Sequence, residues 1–136
     1  ADNAHALHPN YTDKACPTNR PYMNKGIVIK YSANQKYTTD GIAAGIFQEI
    51  CKRADVPYQT FLNRSDMAGG STLGNISNTQ VALNTVDIGL PQLAMHSAYE
   101  TSGVKDTGYL IEASKEFYSC HIKATCDGMF EIQSAF

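Results

Sequence analysis

The 136-residue sequence contains no tryptophan, no block of basic residues and no long apolar run. Eleven Lys and Arg residues against 13 Asp and Glu residues give a formal net charge of −2, which argues against a nucleic-acid or anionic membrane partner. No apolar stretch approaches the roughly 20 residues that a membrane-spanning helix needs, and no signal-peptide pattern is present. We therefore expect a cytoplasmic protein with neither nucleic-acid nor membrane partners.

The four cysteines are irregularly spaced and form no CxxC motif; they are Cys16, Cys51, Cys120 and Cys126. We interpret them as the reduced thiols of a cytosolic protein, although their even number leaves disulfides open. Hydrophobic residues make up 43% of the chain, which is enough for one domain with a substantial core.

The first residues are rich in Asp and His, and the chain starts with Ala1 rather than Met. Because chain termini usually carry little chemistry, we expect this chain to be a piece of a longer protein. Asp2, His5 and His8 are each three residues apart, but Pro9 disfavours a long helix, so we predict a strand end followed by a polar loop. Solvated histidines beside an Asp that caps a turn are an equal alternative.

The next segments predict a β-α-β unit. Residues 26–31 (GIVIKY) have the β-branched content of a strand, residues 38–40 offer N-caps for a helix to about Ala54, and residues 58–62 form the next strand. The fold class is therefore α/β: three layers, with a mixed and mostly parallel sheet and helices on both faces. Lys30 is either an exposed strand terminus or a cation directed into a cleft.

A glycine-rich segment over residues 64–74 joins the second strand to a short predicted helix over residues 72–81. Glycines before a helix expose backbone N–H groups that suit an anion or a polarised carbonyl oxygen. Neither a P-loop nor GxGxxG is present, so nucleotide binding is weakly supported. A tight turn in which Gly supplies a positive φ is an equal alternative.

The segment over residues 86–90 is a short apolar run that predicts a buried strand. Gly89 and Pro91 interrupt it, His96 follows, and a helix with an interruption at Gly103 is predicted over residues 98–118. A histidine just beyond a buried strand lies where α/β proteins bind ligands, although a structural histidine is the more frequent outcome.

Three segments taken together resemble the M18 family of zinc aminopeptidases. They are residues 2–11 (DNAHALHPNY), 66–74 (DMAGGSTLG) and 87–97 (DIGLPQLAMHS). Three long motifs in the right order and spacing are far more specific than any one of them. The resemblance implies that residues 1–118 are the C-terminal part of a metallopeptidase catalytic domain, and that residues 119–136 are a tail or terminal extension.

This resemblance implies a two-zinc enzyme that removes N-terminal residues from a peptide substrate. Lys30 favours acidic residues (Asp or Glu), but relatives that prefer neutral residues share most of the same motifs, so both preferences stay open. By resemblance, Asp2 is a terminal ligand of one zinc and His96 of the other, and Mn²⁺ or Co²⁺ could replace zinc. Carboxylate oxygen and imidazole nitrogen are ligands that hydrolytic zinc accepts, and paired metals can activate a bridging water.

The resemblance also implies a set of substrate-binding residues. Lys30 corresponds to the cation that holds an acidic substrate side chain. The other implied contacts are His5, Tyr37, Gly70, Ser71 and Met95, whereas His8 is expected to be structural.

The family's early histidine ligand, bridging aspartate and Glu-Glu pair have no counterpart in these residues. We therefore expect no catalytic residue within this chain and no hydrolysis by the chain alone, with the rest of the parent enzyme or a homo-oligomer as partner. The alternative is a non-catalytic metal- or partner-binding α/β module.

Overall fold

The computed structural model describes residues 1–135, which form an α/β fold followed by a β-hairpin. The strands are β1 (Ala4–His5), β2 (Ile27–Tyr31), β3 (Tyr58–Leu62), β4 (Ile88–Gly89), β5 (Pro91–Leu93), β6 (Thr101–Ser102), β7 (Cys120–Cys126) and β8 (Met129–Ser134). The helices are α1 (Gly41–Arg53), α2 (Leu73–Gln80) and α3 (Val104–Tyr118), with a 3₁₀ turn at Thr12–Lys14.

Residues 1–118 form two three-stranded sheets of mixed direction, with strand orders β3-β2-β4 and β1-β5-β6. Only Leu90 separates β4 from β5, so we call the two together the central sheet. Strand β2 pairs in parallel with β3 and antiparallel with β4, while β5 pairs in parallel with β1 and antiparallel with β6. The N–H groups of Asp2 and Ala4 donate to the carbonyls of Ile88 and Leu90, each over 2.9 Å, so β1 is attached along the whole β4–β5 segment. The α/β class with a mixed sheet is confirmed, and parallel pairing accounts for only half of the strand pairs within residues 1–118.

Helices α1 and α3 cover one face of this sheet. Ile27 and Ile29 of β2 are fully buried there against Phe47 of α1 and Ala113 of α3. Helix α1 begins as predicted, because the Asp40 carboxylate accepts a hydrogen bond from the Ala43 N–H over 2.7 Å, which stabilises the first turn.

The opposite face carries the side chains of Val28 and Lys30, since neighbours along a strand alternate between faces. Val28 packs there with Ala4, Tyr37 and Phe61. The start of α2 reaches the same face, where Thr72 hydrogen-bonds to a β4-flanking carboxylate described below. Helices therefore approach both faces of the sheet, as expected.

The last predicted helix begins later than expected. It starts at Val104 rather than near residue 98, because β6 precedes it. Asp106, which is fully buried, accepts hydrogen bonds from the N–H groups of Asn24 (2.6 Å) and Gly26 (3.0 Å) and ties α3 to the start of β2.

The break predicted at Gly89 and Pro91 is smaller than expected. Strand β5 starts at Pro91 itself, and only Leu90 separates it from β4. Pro91 lies just beyond the residues of β4 that pair with β2, so its missing N–H removes no ladder bond there.

Residues after α3 form an exposed hairpin of β7 and β8. Arg53 at the end of α1 donates to the carbonyl of Ile132 over 2.7 Å and holds the hairpin on the helix layer. Helix α3 ends at Tyr118, and the hairpin lies within the residues predicted to be a tail or terminal extension; residue 136 lies outside the described residues.

All four cysteines are free thiols in the described chain. None of the helices built by residues 1–135 combines the length and apolar character required to cross a membrane.

We predict that Ile50→Ala lowers the free energy of unfolding by about 2–5 kcal/mol, because removing a buried side chain leaves a cavity. Ile50 is fully buried in α1. Ile76→Ala is the matched control, since Ile76 lies on α2 with 59% of its surface exposed, and we expect a change within about 0.5 kcal/mol. Urea unfolding of both variants tests this, and equal losses would contradict the assigned core.

Candidate functional site

The candidate site lies at one edge of the central sheet. His5 ends β1, Lys30 lies near the end of β2, and His96 follows three residues after β5. Strands β1 and β5 run in parallel, so the ends beside His5 and before His96 lie next to each other. Strand β2 runs antiparallel to β4, and Lys30 joins the group through its side chain, which reaches the Asp2 carbonyl before β1. The sheet therefore groups residues that are far apart in sequence.

Lys30 is a buried cation rather than an exposed strand terminus, so the solvated alternative is wrong. Only 2% of its surface is exposed, its Nζ donates to the carbonyl of Asp2 over 2.9 Å, and the ammonium lies 5.0 Å from the centre of the Tyr37 ring. Burial lowers the pKa of Lys30, while the carboxylates of Asp87 and Asp2 act in the opposite direction.

Asp2 is held through its main chain. Its N–H donates to Ile88 and its carbonyl accepts from Lys30, while the residue itself is exposed. The position of the Asp2 main chain depends on Gly89, because a Cβ at residue 89 would lie 1.9 Å from the Asp2 carbonyl oxygen. The fixed backbone leaves the Asp2 carboxylate on the accessible side of the sheet edge.

His96 projects from a strained turn. Ala94 and His96 have φ values of +51° and +68°, a region that non-glycine residues adopt at an energetic cost. The Ser97 N–H donates to the Ala94 carbonyl over 3.0 Å, and the His96 N–H donates to a Glu100 carboxylate oxygen over 2.6 Å. These contacts hold the backbone and leave the imidazole exposed; Met95 between them is half-buried.

His5 interacts electrostatically with both of its neighbours. Desolvation lowers the pKa of His5, and the positive charges of His96 and Lys30 lower the same pKa further. The neutral form of the His5 imidazole is therefore favoured, and His5 lies close enough to Lys30 and His96 to be affected by their charges.

The predicted metal ligands are not joined by a third. Among residues 1–135 no group of three or more His, Cys, Asp or Glu side chains is placed to hold a metal ion. Asp2 and His96 each offer a donor of the correct chemistry, yet zinc sites take at least three protein ligands. These two residues fit as contributors to a metal centre, and the described chain does not complete one.

The glycine-rich segment borders a cavity of about 290 Å³ that also contacts His5. Gly70 is exposed and has room for a Cβ, and within residues 1–135 the glycines with positive φ are Gly26 and Gly128. The alternative of a turn that needs a positive φ at Gly70 is therefore wrong. Ser71 is exposed and shares hydrogen bonds with Asn75.

Tyr37 forms the floor beneath Lys30. It is buried beside Phe61, with ring centres 6.3 Å apart. Burial raises the pKa of Tyr37, a hydrogen bond from Asn63 opposes this, and the charges of Asp87 and Asp2 raise it further. His8 instead accepts from the N–H of Asn10 over 3.1 Å and supports the loop after β1.

Asp87 is a polar residue of this region that the sequence reasoning did not select. It is buried, and one carboxylate oxygen accepts from the Thr38 N–H (2.9 Å), the Thr38 hydroxyl (3.1 Å) and the Thr72 hydroxyl (2.9 Å). An acidic residue inside an apolar strand was the available signal, because a buried carboxylate requires partners.

Comparison with known proteins gives a consistent result. The family model for "Aminopeptidase I zinc metalloprotease (M18)" matches residues 1–118. A Clostridium novyi protein named "Probable M18 family aminopeptidase 2" is 52% identical over 119 residues, and its Pseudomonas aeruginosa counterpart is 48% identical over 119 residues. Each match covers 88% of this chain and 28% of the relative, so the chain spans less than a third of the length of these curated relatives.

Solved structures share the fold. The chain superposes with a TM-score of 0.85 and 42% identity on a protein in "Cryo-EM structure of the Ape4 and Nbr1 complex", covering 87% of this chain and 22% of that one. For "crystal structure of aminopeptidase I from Clostridium acetobutylicum" the TM-score is 0.73 at 26% identity, covering 84% and 26%. On the motifs, the fold and the family match, this chain belongs to the M18 family of zinc metalloproteases.

Proposed function

We propose that this chain is a section of a two-zinc aminopeptidase that removes N-terminal residues, preferentially Asp or Glu, from peptides. The observation that carries the proposal is the buried ammonium of Lys30, placed at the sheet edge beside His5 and His96. The charges of Asp87 and Asp2 and the hydrogen bond to the Asp2 carbonyl offset part of the cost of burying this ammonium, and an acidic substrate side chain would supply a further anion.

Asp2 and His96 are proposed to contribute one terminal ligand to each of two zinc ions, with Mn²⁺ or Co²⁺ as replacements. Both side chains are exposed, and the main chain of each is fixed by hydrogen bonds. When bound, such metals activate a water molecule and polarise the scissile carbonyl. The remaining ligands and the general base are proposed to come from outside these 136 residues.

Lys30 is proposed to bind the substrate side chain. An ammonium has three N–H donors, and its hydrogen bond to the Asp2 carbonyl uses one of them. His5 and Tyr37 border the same region, and Met95 beside His96 is proposed to line it. Gly70 with Ser71 is proposed to present backbone and hydroxyl groups to the peptide.

We further propose that residues 1–118 belong to the catalytic domain, that residues 119–136 are an extension of it, and that the complete protein is a cytoplasmic homo-oligomer. A relative at 27% identity with a TM-score of 0.76 is titled "Structure of S. cerevesiae mApe1 dodecamer", which supports self-association.

The section hypothesis is tested with the 136-residue chain alone. We expect no cleavage of aspartyl or leucyl chromogenic amides with added Zn²⁺ or Mn²⁺, because the proposed site has only two ligands in this chain. Metal-dependent turnover by the isolated chain would refute this part of the proposal.

Substrate preference is tested in the full-length polypeptide that carries this segment. We predict that Lys30→Met lowers kcat/KM for N-terminal aspartyl substrates about 10- to 100-fold, because a hydrogen bond to a charged group contributes about 1.5–3 kcal/mol. The kcat/KM for leucyl substrates should fall only slightly. Lys105→Met, at an exposed position on α3, is the matched control, and equal losses on both substrates would exclude Lys30 as the specificity residue.

Metal ligation is tested by zinc content. In the full-length polypeptide we predict that His96→Ala and Asp2→Ala each reduce bound zinc from about two ions to about one per chain. A zinc ion has few protein ligands, and no neighbouring side chain can replace the one that is removed. His121→Ala and Asp127→Ala change exposed residues of the hairpin region and should leave the zinc content unchanged. Full zinc occupancy in the Asp2 and His96 variants would disprove the assignment.

A further inference from the structure

Asp87 connects two segments that carry proposed substrate contacts. Thr38 directly follows Tyr37, and Thr72 directly follows Ser71. Both threonines donate to the same carboxylate oxygen of Asp87, Thr38 through its N–H and hydroxyl and Thr72 through its hydroxyl. We name Asp87, Thr38 and Thr72 the carboxylate clamp.

Thr72 does not cap helix α2, because its hydroxyl is used in the clamp. It occupies the N-cap position of α2, where a threonine hydroxyl usually accepts from a helix N–H, but here it makes no capping hydrogen bond. Its hydroxyl is instead buried and donates to Asp87 over 2.9 Å. The start of α2 is thus fastened to the sheet at the expense of its own cap.

Helix α2 has little else to hold it. None of its residues is buried, and Leu73 and Ile76 are 76% and 59% exposed. Apolar burial normally fixes a helix on a sheet, so the position of α2 and of the preceding loop depends on polar contacts such as the clamp.

Gly74 brings the first turn of α2 close to the same carboxylate. A Cβ at position 74 would lie 2.8 Å from the Asp87 oxygen and 3.0 Å from the Thr38 hydroxyl. The backbone of α2 can therefore approach the clamp only because residue 74 lacks a side chain.

Asp87 also faces Lys30. Its N–H donates to the Thr39 hydroxyl over 2.8 Å, and its carbonyl accepts from the Lys30 N–H over 2.9 Å. The residue is thereby fixed on both sides of its Cα, so its carboxylate is a rigid anchor rather than a flexible acceptor.

We propose that Asp87 is a positioning residue, which sets the loop carrying Ser71 and the segment carrying Tyr37 at a fixed distance from Lys30 and so shapes the pocket for the substrate side chain. This inference rests on the proposed aminopeptidase function for its substrate, but the clamp itself is independent of that function.

The first test is hydrogen–deuterium exchange in the 136-residue chain. Thr72→Val removes the hydroxyl at nearly constant volume, and we expect exchange over residues 70–80 to become about tenfold faster, because a lost buried hydrogen bond permits local opening. Thr72→Ser retains the hydroxyl and should exchange like the unchanged protein. Thr79→Val, an exposed change on the same helix, is the matched control.

The exchange rate of the β2 amides distinguishes local opening of α2 from unfolding of the whole chain. If Thr72→Val accelerates exchange over residues 27–31 as much as over 70–80, or has no more effect than Thr79→Val, the clamp is overturned. Gly74→Ala tests the clamp a second time, because the added Cβ would crowd the Asp87 carboxylate without removing a hydrogen-bond donor. Exchange over residues 70–80 should become faster in this variant too.

The second test measures how the clamp affects substrate binding and turnover in the full-length polypeptide. For an aspartyl substrate we expect Thr72→Val to raise KM about five- to tenfold with kcat within about twofold, as for lost positioning rather than lost chemistry, and Thr72→Ser to restore KM. An unchanged KM with faster exchange would overturn the positioning role. Failure of the unaltered polypeptide to cleave any peptide would instead refute the proposed function, and the exchange result would still decide the clamp.

Discussion

The hydrogen bond from the Lys30 ammonium to the Asp2 carbonyl is the interaction on which the arrangement of the sheet edge depends. It joins β2 to the segment before β1 across the face of β4, where Gly89 allows the Asp2 backbone to approach. A lysine with 2% exposure requires compensation for its lost hydration. The same contact that provides it also sets the direction in which the Asp2 carboxylate leaves the sheet.

Local sequence patterns correctly predicted the elements whose apolar and capping residues match their surroundings in the fold. Helix α1 combines a capping Asp40 with an apolar stripe, and β2 and β3 have clear strand composition, so their bounds agree with the structure to within one or two residues. The α3 start differed because β6 pairs with β5, a long-range contact that residues 98–102 do not reveal locally. Tertiary pairing of this kind overrides propensity.

The candidate site shows a similar division. Lys30 was ambiguous from the sequence because a strand-end lysine is usually solvated, and only the fold reveals its burial. Asp87 stands in the middle of a recognisable motif, yet its partners Thr38 and Thr72 lie 49 and 15 residues away along the chain. A polar network assembled from three separate segments leaves no periodic signal. The positions of Asp2 and His96 were suggested by resemblance and remain proposals for metal ligation.

The hairpin of β7 and β8 is attached to α1 partly through the carbonyl of Ile132, which accepts from Arg53. A main-chain carbonyl is present whatever side chain occupies the position, so this attachment places little restriction on the hairpin sequence. Substitutions of the hairpin's exposed side chains would therefore leave this attachment, and the α/β fold of residues 1–118, in place. Such an appendage is a place where close relatives could acquire different surface recognition without any change at the sheet edge.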